Sequence, residues 1–489
     1  MSTTRRLRIH DRRQHALDAG IETIRRELQL PGAFPPEVEA AAQAVAATGP
    51  RFPGEDRSEL ALVTIDPPGA MDLDQALFVE RAGDGYRVYY AIADVGAFVR
   101  PGDPVDLEAH RRGETLYGAD DKIPLHPKAL SEDAASLLPD QLRPALLWTI
   151  DLDATGEGVA VDVRRARVRS RAQLDYAGVQ ARIDAGDADP MFAVLREIGE
   201  LRMRREQRRG GVSLPLPEQE VRIDEGRWSL EFRARHPVED WNEQISLLTG
   251  MAAAHLMVAH RVGLLRTLPP ADPRALAKLR RTAHALGIAW PKARGYPDFI
   301  RSLDPRNPRD IAMMTACTMV LRGAGYVAFD GAVPEHSDHA ALAAQYTHAT
   351  APLRRLVDRY TGEVCLALSA GTPVPPWVLE ALPGLPAAMQ ASSQRAGRYE
   401  NAVLDLAEAI ALAPRVGEEF EGAIVEVDGK DPHRGDIMLA APAILARIES
   451  PGALPLGDRV RARLVEADPA TRAIRFELAG TIAAEPDGF

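Results

Sequence analysis

The residues with the clearest chemical potential lie in the segment TIDPPGAMDLDQAL. A short apolar strand delivers Asp66 into a loop of proline and glycine, and Asp72 and Asp74 follow with one residue between them. On an extended segment those two carboxylates would share a face. Crowded carboxylates repel one another unless a cation lies between them, and oxygen ligands favour Mg²⁺ or Mn²⁺ over zinc. A turn whose aspartates cap backbone groups is an equally good interpretation of this segment alone.

A second group of interest is QYTHATAPLRRLVDRY. Proline favours the first turn of a helix, so the pattern predicts a helix start at Pro352 with Arg354 and Arg355 in its first turns. Arginines there oppose the helix dipole, whereas helix starts attract phosphate. The pair therefore indicates an anionic partner. The alternative is that the arginines bridge to acids such as Asp358.

Composition limits the class of protein. The 489 residues are 46% hydrophobic and 26% charged, which is ordinary for a soluble protein of two or three domains. No run of about eighteen apolar residues occurs, so we expect no membrane span. Cys317 and Cys365 lack nearby partners, which favours buried, reduced thiols in a cytoplasmic protein. The net charge of −11 argues mildly against nucleic-acid binding. Local clusters of arginine can still form a basic channel.

The pattern of elements predicts three regions and an α+β fold. Residues 1–50 read as a short helical region, a possible helix-turn-helix, with helices near Asp11–Leu28 and Glu37–Ala47. Residues 51–414 show strands first and helices later. Residues 415–489 contain five short strands separated by turns, which predicts a small barrel. In the middle region, helices are predicted to dominate Tyr176–Arg209 and Asp240–Leu265, and further helices fit Arg274–Leu286, Ile311–Leu321, Leu353–Leu368 and Ala387–Leu412.

Together these segments resemble the ribonuclease II family, whose catalytic domain is called RNB. TIDPPGAMDLDQA resembles that family's signature loop, and YTHATAPLRRLVDRY its later arginine motif. KIPLHPKALSEDAASLLPDQLRPAL, SRAQLDYAGVQ and RRGGVSLPLPE match other blocks in the right order. The resemblance covers about residues 58–370. It implies an RNB-type mixed sheet-and-helix domain that degrades single-stranded RNA from its 3′ end, processively and by hydrolysis, to nucleoside 5′-monophosphates.

The resemblance also assigns roles to individual positions. It implies that Asp74, Arg354 and Asp72 are catalytic, with Arg354 holding the scissile phosphate. The implied ligands of Mg²⁺, or Mn²⁺, are Asp66, Asp72, Asp74 and Gln75. The residues expected to contact RNA are Tyr117, Tyr176, Arg354, Arg355 and Arg461. Tyr117 aligns with an aromatic that stacks on RNA, and Tyr176 with a tyrosine that clamps the terminal nucleotides, a sequence-tolerant mode of binding.

The sequence departs from the family at the site. The family usually has two adjacent acids at the end of the loop, whereas here Gln75 follows Asp74. A glutamate expected on a downstream helix is also missing: WNEQISLLTGM places Ser246 or Leu247 there, with Asn242 and Glu243 a turn earlier as weak substitutes. These departures predict a more weakly held metal and slower chemistry.

The C-terminal barrel resembles the OB-fold module of ribosomal protein S1. Arg459, Arg461 and Arg463 alternate along one predicted strand and could follow phosphates. The candidate stacking residues are Phe420, Phe476 and His433, some of which must belong to the core. A zinc site built from His336, His339 and His348 has unconvincing spacing, and structural or RNA-facing histidines are favoured.

Three functions therefore stand as hypotheses. The first is a monomeric, cytoplasmic, Mg²⁺-dependent exoribonuclease. The second is an RNA-binding protein of the same fold with weakened or lost catalysis, which the departures at Gln75 and at the missing glutamate allow. The third is a metal-dependent hydrolase that acts on another phosphodiester.

Overall fold

The structure, a computed structural model, describes residues 7–9, 15–52, 54–118, 122–214, 218–224, 227–233, 235–321, 323–439 and 444–482. The helices are α1 (His15–Glu27), α2 (Pro36–Thr48), α3 (Pro104–Arg112), α4 (Tyr176–Ala185), α5 (Pro190–Arg209), α6 (Pro237–His260), α7 (Pro273–Ala285), α8 (Tyr296–Arg301), α9 (Pro308–Cys317), α10 (Leu356–Ser369), α11 (Pro376–Ala381) and α12 (Leu385–Leu412).

The first ten strands are β1 (Leu7–Ile9), β2 (Glu55–Asp56), β3 (Thr64–Ile65), β4 (Gln75–Ala82), β5 (Gly85–Ala93), β6 (Leu116–Tyr117), β7 (Lys122–Ile123), β8 (Leu142–Leu152), β9 (Gly158–Arg169) and β10 (Gln173–Leu174). The others are β11 (Glu218–Asp224), β12 (Arg227–Arg233), β13 (Val262–Thr267), β14 (Gly325–Asp330), β15 (Asp338–His339), β16 (Ala344–Gln345), β17 (Glu419–Val427), β18 (Arg434–Leu439), β19 (Leu445–Glu449), β20 (Arg459–Asp468) and β21 (Ala473–Thr481).

A five-stranded sheet in the order β2-β9-β8-β5-β4 forms the centre of the molecule. Alternate residues of β5 enter two hydrophobic cores, because side chains of a strand point to opposite faces. Val88 and Tyr90 pack with residues of α5, α6 and α10, whereas Tyr89 and Ala91 pack with residues of α2 and α3. Both faces of the sheet are therefore covered, which explains why the sequence of β5 is almost continuously apolar.

The C-terminal strands close into a barrel in the order β17-β18-β19-β21-β20, with β17 pairing back onto β20. That order is the topology of an OB-fold, so the prediction of a five-stranded barrel is confirmed. Phe420 and Phe476 are both buried, with ring centroids 5.6 Å apart. The prediction that they could stack on RNA is wrong, since these rings form the barrel core. His433 lies at the exposed surface of the barrel.

Several predicted helices differ from those in the structure. The region Asp240–Leu265, predicted to be helical, ends in a strand instead, because Val262–Thr267 form β13 and pair with β14. The region Tyr176–Arg209, predicted to be dominated by helices, contains two of them, because Gly186 ends α4 at a φ of 75° and Pro190 starts α5. The helix predicted from about Pro352 begins instead at Leu356, and Arg355 is its N-cap residue. Within the described ranges, no helix is long and apolar enough to cross a membrane.

Candidate active site

The backbone of Asp66 is fixed by two short parallel strands. β3 pairs with β10, and the Asp66 amide extends the pairing by donating to the carbonyl of Leu174 at 3.0 Å. The same strand, β10, runs into α4, whose first residue is Tyr176. The Tyr176 hydroxyl accepts a hydrogen bond from Asn242 of α6 at 3.1 Å. Burial, with the charge of Asp66 next in importance, raises the pKa of Tyr176 to about 12. The structure therefore places Asp66 and Tyr176 beside each other.

The rest of the aspartate loop is held by the segment around Ser136. The Ser136 hydroxyl donates to the carbonyl of Met71 at 2.6 Å and accepts the amide of Leu73 at 3.0 Å. Leu73 is fully buried, and its carbonyl accepts the amide of Leu137 at 3.0 Å. Leu73 lies between Asp72 and Asp74, so its burial and its hydrogen bonds fix the backbone from which both carboxylates project. The rigidity expected from the proline-rich sequence thus depends on a contact more than sixty residues along the chain.

Asp74 meets the arginine motif directly. Its Oδ1 accepts the amide of Leu353 at 2.8 Å, and its Oδ2 lies 3.5 Å from Nε of Arg354. The Asp74 side chain is buried, whereas that of Arg354 is 31% exposed. The arrangement presents one guanidinium to solvent beside a buried carboxylate, which suits the binding of an anionic substrate.

The two adjacent arginines have different environments. Arg355 pairs with the buried Asp358 through two hydrogen bonds of 2.8 Å, and Asp358 also accepts the amide of Ala351 at 2.6 Å. Burial lowers and the Asp358 charge raises the pKa of Arg355, and the net direction is upward. Arg355 therefore fixes the turn that carries Arg354. The sequence allowed two interpretations of the arginines, an anionic partner or a bridge to Asp358. Arg355 forms the bridge to Asp358, and that ion pair is buried inside the protein rather than exposed on its surface.

Burial disfavours the charged form of two aspartates, Asp66 and Asp74, in the absence of a cation. Desolvation, with repulsion from Asp72 next, raises the pKa of Asp66 to about 7. Desolvation raises the pKa of Asp74 to about 8, although Arg354 and the Leu353 amide oppose the rise. Carboxyl groups with such raised pKa values gather at sites where a cation or proton transfer is part of the function.

Asp72 has a cationic partner that the sequence analysis missed. Nζ of Lys122, on β7, lies 2.7 Å from Oδ1 of Asp72 and 3.1 Å from Oε1 of Glu132. Glu132 belongs to a short π-helical turn, Leu130–Ala134. Both residues lie in the KIPLHPKALSEDAASLLP block that carried the family resemblance. The sequence signal that could have indicated this ion pair is the presence of a basic residue and an acidic residue inside that block.

The side chain of Gln75 bridges three parts of the fold. Its Nε2 donates to the carbonyl of Thr350 at 2.7 Å, and its Oε1 accepts a short hydrogen bond from the hydroxyl of Tyr90. The Thr350 hydroxyl in turn shares a hydrogen bond of 2.9 Å with Ser246 of α6. The amide thus connects the aspartate loop, the central sheet and the turn before Arg354. Ser246 and Asn242 occupy hydrogen-bonding positions next to the site, and neither supplies the carboxylate that the family resemblance implied.

Replacing Gln75 with alanine should lower the free energy of unfolding by about 1–3 kcal/mol, because the buried hydroxyl of Tyr90 would lose its acceptor. Chemical denaturation of metal-free protein measures this. Gln345→Ala is the matched control, since Gln345 is only half-buried and donates to a single hydroxyl, that of Ser337. Unchanged stability with weakened binding of Mn²⁺ would instead identify Gln75 as a metal ligand.

The other two residues predicted to contact RNA, Tyr117 and Arg461, are both exposed. Tyr117 is 39% exposed at the end of β6. Arg461 is exposed on β20, between Arg459 and Arg463, which pair with Glu421 and Glu419 at 3.0 and 3.1 Å.

The three histidines do not form a zinc site. His336 is exposed, His339 is buried, and His348 shares a hydrogen bond of 2.5 Å with the Tyr326 hydroxyl. Burial lowers the pKa of His339 to about 4. In the part of the chain that the structure describes, no three His, Cys, Asp or Glu side chains converge as a ready-made metal site.

The donor set nevertheless fits a hard divalent cation. Oδ2 of Asp66 is buried and has no hydrogen-bond partner among the described residues. Carboxylate oxygens are the ligands that Mg²⁺ prefers. Both carboxylate oxygens of Asp74 have partners in Leu353 and Arg354, and Oδ1 of Asp72 pairs with Lys122. The oxygen of these aspartates that is buried without a partner among the described residues is therefore Oδ2 of Asp66.

Comparison with known families identifies two regions of the chain. The model of the RNB domain matches residues 55–366, and that of the RNase II-type exonuclease C-terminal S1 domain matches residues 418–479. The chain belongs to the RNB-domain family. The resemblance seen in the sequence is confirmed, as is the RNB-type fold with a C-terminal OB-fold barrel.

Curated relatives of this RNB protein are ribonucleases. Ribonuclease R of Escherichia coli is 29% identical over 363 residues, which are 69% of this chain and 43% of that protein. The exosome complex exonuclease RRP44 homolog A of Arabidopsis thaliana is 29% identical over 349 residues, 68% of this chain and 37% of that protein. The chain thus spans about two fifths of the length of these relatives.

Solved structures of RNB proteins share the fold. RNase R of Mycoplasma genitalium in complex with ribose-methylated single-stranded RNA has a TM-score of 0.81 at 20% identity, over 95% of this chain and 78% of that one. Yeast Ssd1, described as a pseudonuclease, has a TM-score of 0.67 at 16% identity, over 92% of this chain and 57% of that one. The same fold therefore occurs both with and without nuclease activity.

Proposed function

We propose that this RNB protein is a hydrolytic exoribonuclease that degrades single-stranded RNA from its 3′ end to nucleoside 5′-monophosphates, processively and with Mg²⁺ or Mn²⁺. The observation that carries the proposal is the meeting of Asp74 and Arg354. The two residues are far apart in sequence, but the fold brings them together. A buried carboxylate and a partly exposed guanidinium therefore face the same space. RNB relatives named as ribonucleases and exonucleases support it.

The role proposed for each residue is the one that the family resemblance implies, and its surroundings support it. Arg354 would hold the scissile phosphate and stabilise the negative charge that develops on it. Asp66, Asp72 and Asp74 would hold the divalent cation, with Asp66 offering the buried oxygen that has no other partner among the described residues. When bound, that ion activates water and neutralises charge on the phosphate. Tyr176, beside Asp66, would contact the terminal nucleotide, and the exposed Tyr117 would offer a ring on which a base can stack.

The second candidate is an RNA-binding protein with little or no catalysis. The observation that favours it is the position of Gln75, whose amide is committed to Thr350 and Tyr90 where the family usually has an acid. A neutral, hydrogen-bonded amide adds little to metal affinity.

One assay separates these functions. Poly(A) labelled at its 5′ end is incubated with protein and Mg²⁺ or Mn²⁺, beside DNA of matched length. An exoribonuclease should shorten the RNA from the 3′ end and leave the DNA intact. Bound but intact RNA would favour the second candidate. Cleavage of the DNA at a similar rate would favour a hydrolase of broader phosphodiester specificity.

A further inference from the structure

Helix α1 buries one face against the body of the molecule. Leu17, Ile21 and Ile24 recur at the spacing of helical turns, and none of them is more than 4% exposed. We call these three residues the inner face of α1. Helix α12 packs closely against it, since a Cβ atom added to Gly20 would lie 2.5 Å from Cδ2 of Leu406, well inside a normal carbon contact of roughly 3.5 Å. The helix is therefore docked firmly on the fold.

The strand pair β6–β7 shares the hydrophobic cluster of this helix. Leu116 of β6 lies opposite Ile123 of β7, both are buried, and both belong to the cluster that contains the inner face of α1. Tyr117 and Lys122 form the next pair, and the alternation of a strand turns their side chains to the opposite side. The strand pair thus buries its back in a cluster that α1 completes, and it presents Tyr117 on its front.

A buried arginine joins the segment after α1 to the end of the same strand pair. The Arg112 guanidinium donates to the carbonyl of Gly32 at 2.9 Å and to the carbonyl of Pro124, the residue after β7, at 3.1 Å. It also pairs with Glu108 at 2.7 Å and lies 3.7 Å from the centre of the Phe34 ring. The N-terminal segment is therefore connected to the strand pair by polar as well as apolar contacts.

The strand pair depends on these contacts because it is very short. β6 and β7 contain two residues each, and an isolated pair of strands is marginally stable in water. Its start is bonded to the arginine turn, where the amide of Thr115 donates to the carbonyl of Arg354 at 2.9 Å, and its front is held by the pairing of Lys122 with Asp72. Loss of the inner face of α1 would uncover the back and leave both of those bonds in place. It should therefore loosen Tyr117 without dismantling the aspartate centre.

We propose that α1 and the segment that follows it to Phe34 form a brace, which holds β6–β7 in the position from which Tyr117 stacks on RNA. The inference rests on the proposed function, because it takes Tyr117 as an RNA contact, and it deepens that function. The brace precedes residue 55, where the match to the RNB model begins. Ile24 is fully buried, so it is a positioning residue that acts through Tyr117.

The test measures the dissociation constant of 5′-labelled poly(A) in a chelator. Ile24→Ala should weaken binding about 10-fold, within the range expected for the loss of one stack between a base and an aromatic ring. Tyr117→Ala should weaken binding to a similar extent, and the double variant should bind no more weakly than Tyr117→Ala, because the brace acts through the tyrosine. Ile300→Ala is the matched control, since Ile300 of α8 is equally buried in a different hydrophobic cluster, and it should bind RNA as wild type does.

A milder variant and a second measurement guard against misfolding. Ile24→Val should give a smaller loss of binding that also disappears when Tyr117 is replaced with alanine. Amide hydrogen exchange of residues 114–118, measured without RNA, should become faster in the folded Ile24 variants and stay unchanged in Ile300→Ala.

The outcomes separate the brace from the proposed function. Unchanged exchange or unchanged RNA binding in the Ile24 variants would overturn the brace. A double variant that binds more weakly than Tyr117→Ala would overturn its action through Tyr117. RNA that is bound with the expected affinities but is not degraded when Mg²⁺ or Mn²⁺ is added would contradict the exoribonuclease function and support the brace. A wild-type protein that binds no poly(A) would overturn both.

Discussion

Asp74→Asn should lower the rate of RNA degradation by roughly 1000-fold while RNA binding is unchanged or tighter. The substitution removes a carboxylate of the proposed metal site that is also the partner of Arg354. A fall in rate of this size is expected when a group that stabilises the transition state electrostatically is lost. Asparagine keeps an oxygen for the Leu353 amide, so the turn should be preserved. Removing a negative charge also lowers repulsion toward phosphate. Single-turnover degradation and binding of labelled poly(A) measure the two effects.

The matched control is Asp133→Asn, the same chemical change at a side chain that is 68% exposed and pairs with Arg143. It should degrade RNA at the wild-type rate. If Asp74→Asn retained more than about a tenth of the wild-type rate, the assignment of Asp74 as a catalytic residue would be wrong.

The same substitution should stabilise the metal-free protein. The folded-state pKa of Asp74, about 8, lies above the value of about 3.9 expected in an unfolded chain. Stability from this group is therefore complete below its unfolded pKa and is lost as pH rises through about 8. Asparagine avoids that loss. We expect Asp74→Asn to be more stable than wild type by more than about 1 kcal/mol at pH 8 in a chelator, with a smaller gain at pH 5. Equal stabilities at pH 8 would contradict this.

The adjacent arginines should give opposite results when each is replaced with alanine. Arg354→Ala should lower the rate of RNA degradation by roughly 100-fold with little change in stability, because its side chain is partly exposed and its contact with Asp74 is long. Arg355→Ala should lower the free energy of unfolding by about 3–5 kcal/mol, because it leaves the buried carboxylate of Asp358 without its partner. Denaturation and degradation assays on both variants check this.

Each arginine is the control for the other. Arg355→Lys restores the charge but not the paired hydrogen bonds to Asp358, and it should recover only part of the stability. A large loss of stability in Arg354→Ala, or full stability in Arg355→Ala, would show that the roles drawn from the geometry are reversed.

Local chemistry in the sequence was enough for much of the fold. The five barrel strands are separated by glycine, proline and aspartate, and alternation along β20 places Arg461 outside and Val460 inside. The same reasoning failed where two propensities compete. Val262–Thr267 continues an apolar helix in sequence, but pairing with β14 makes it a strand. Phe420 and Phe476 were candidates for stacking on RNA, but both belong to the core, because closing a small barrel requires large side chains in its interior.

For the site, the sequence by itself determined which residue types are present: the aspartates of the loop, the arginine motif and the neutral amide at Gln75. Only the tertiary structure decided what each one faces. The hydrogen bond from Leu353 to Asp74 spans 279 residues, and the pairing of Lys122 with Asp72 spans 50. Backbone propensity acts over a few neighbouring residues, whereas these contacts depend on how β3, β4, β7 and the turn before α10 pack together. That packing separates Arg354 from Arg355 and gives Asp72 a lysine for its partner.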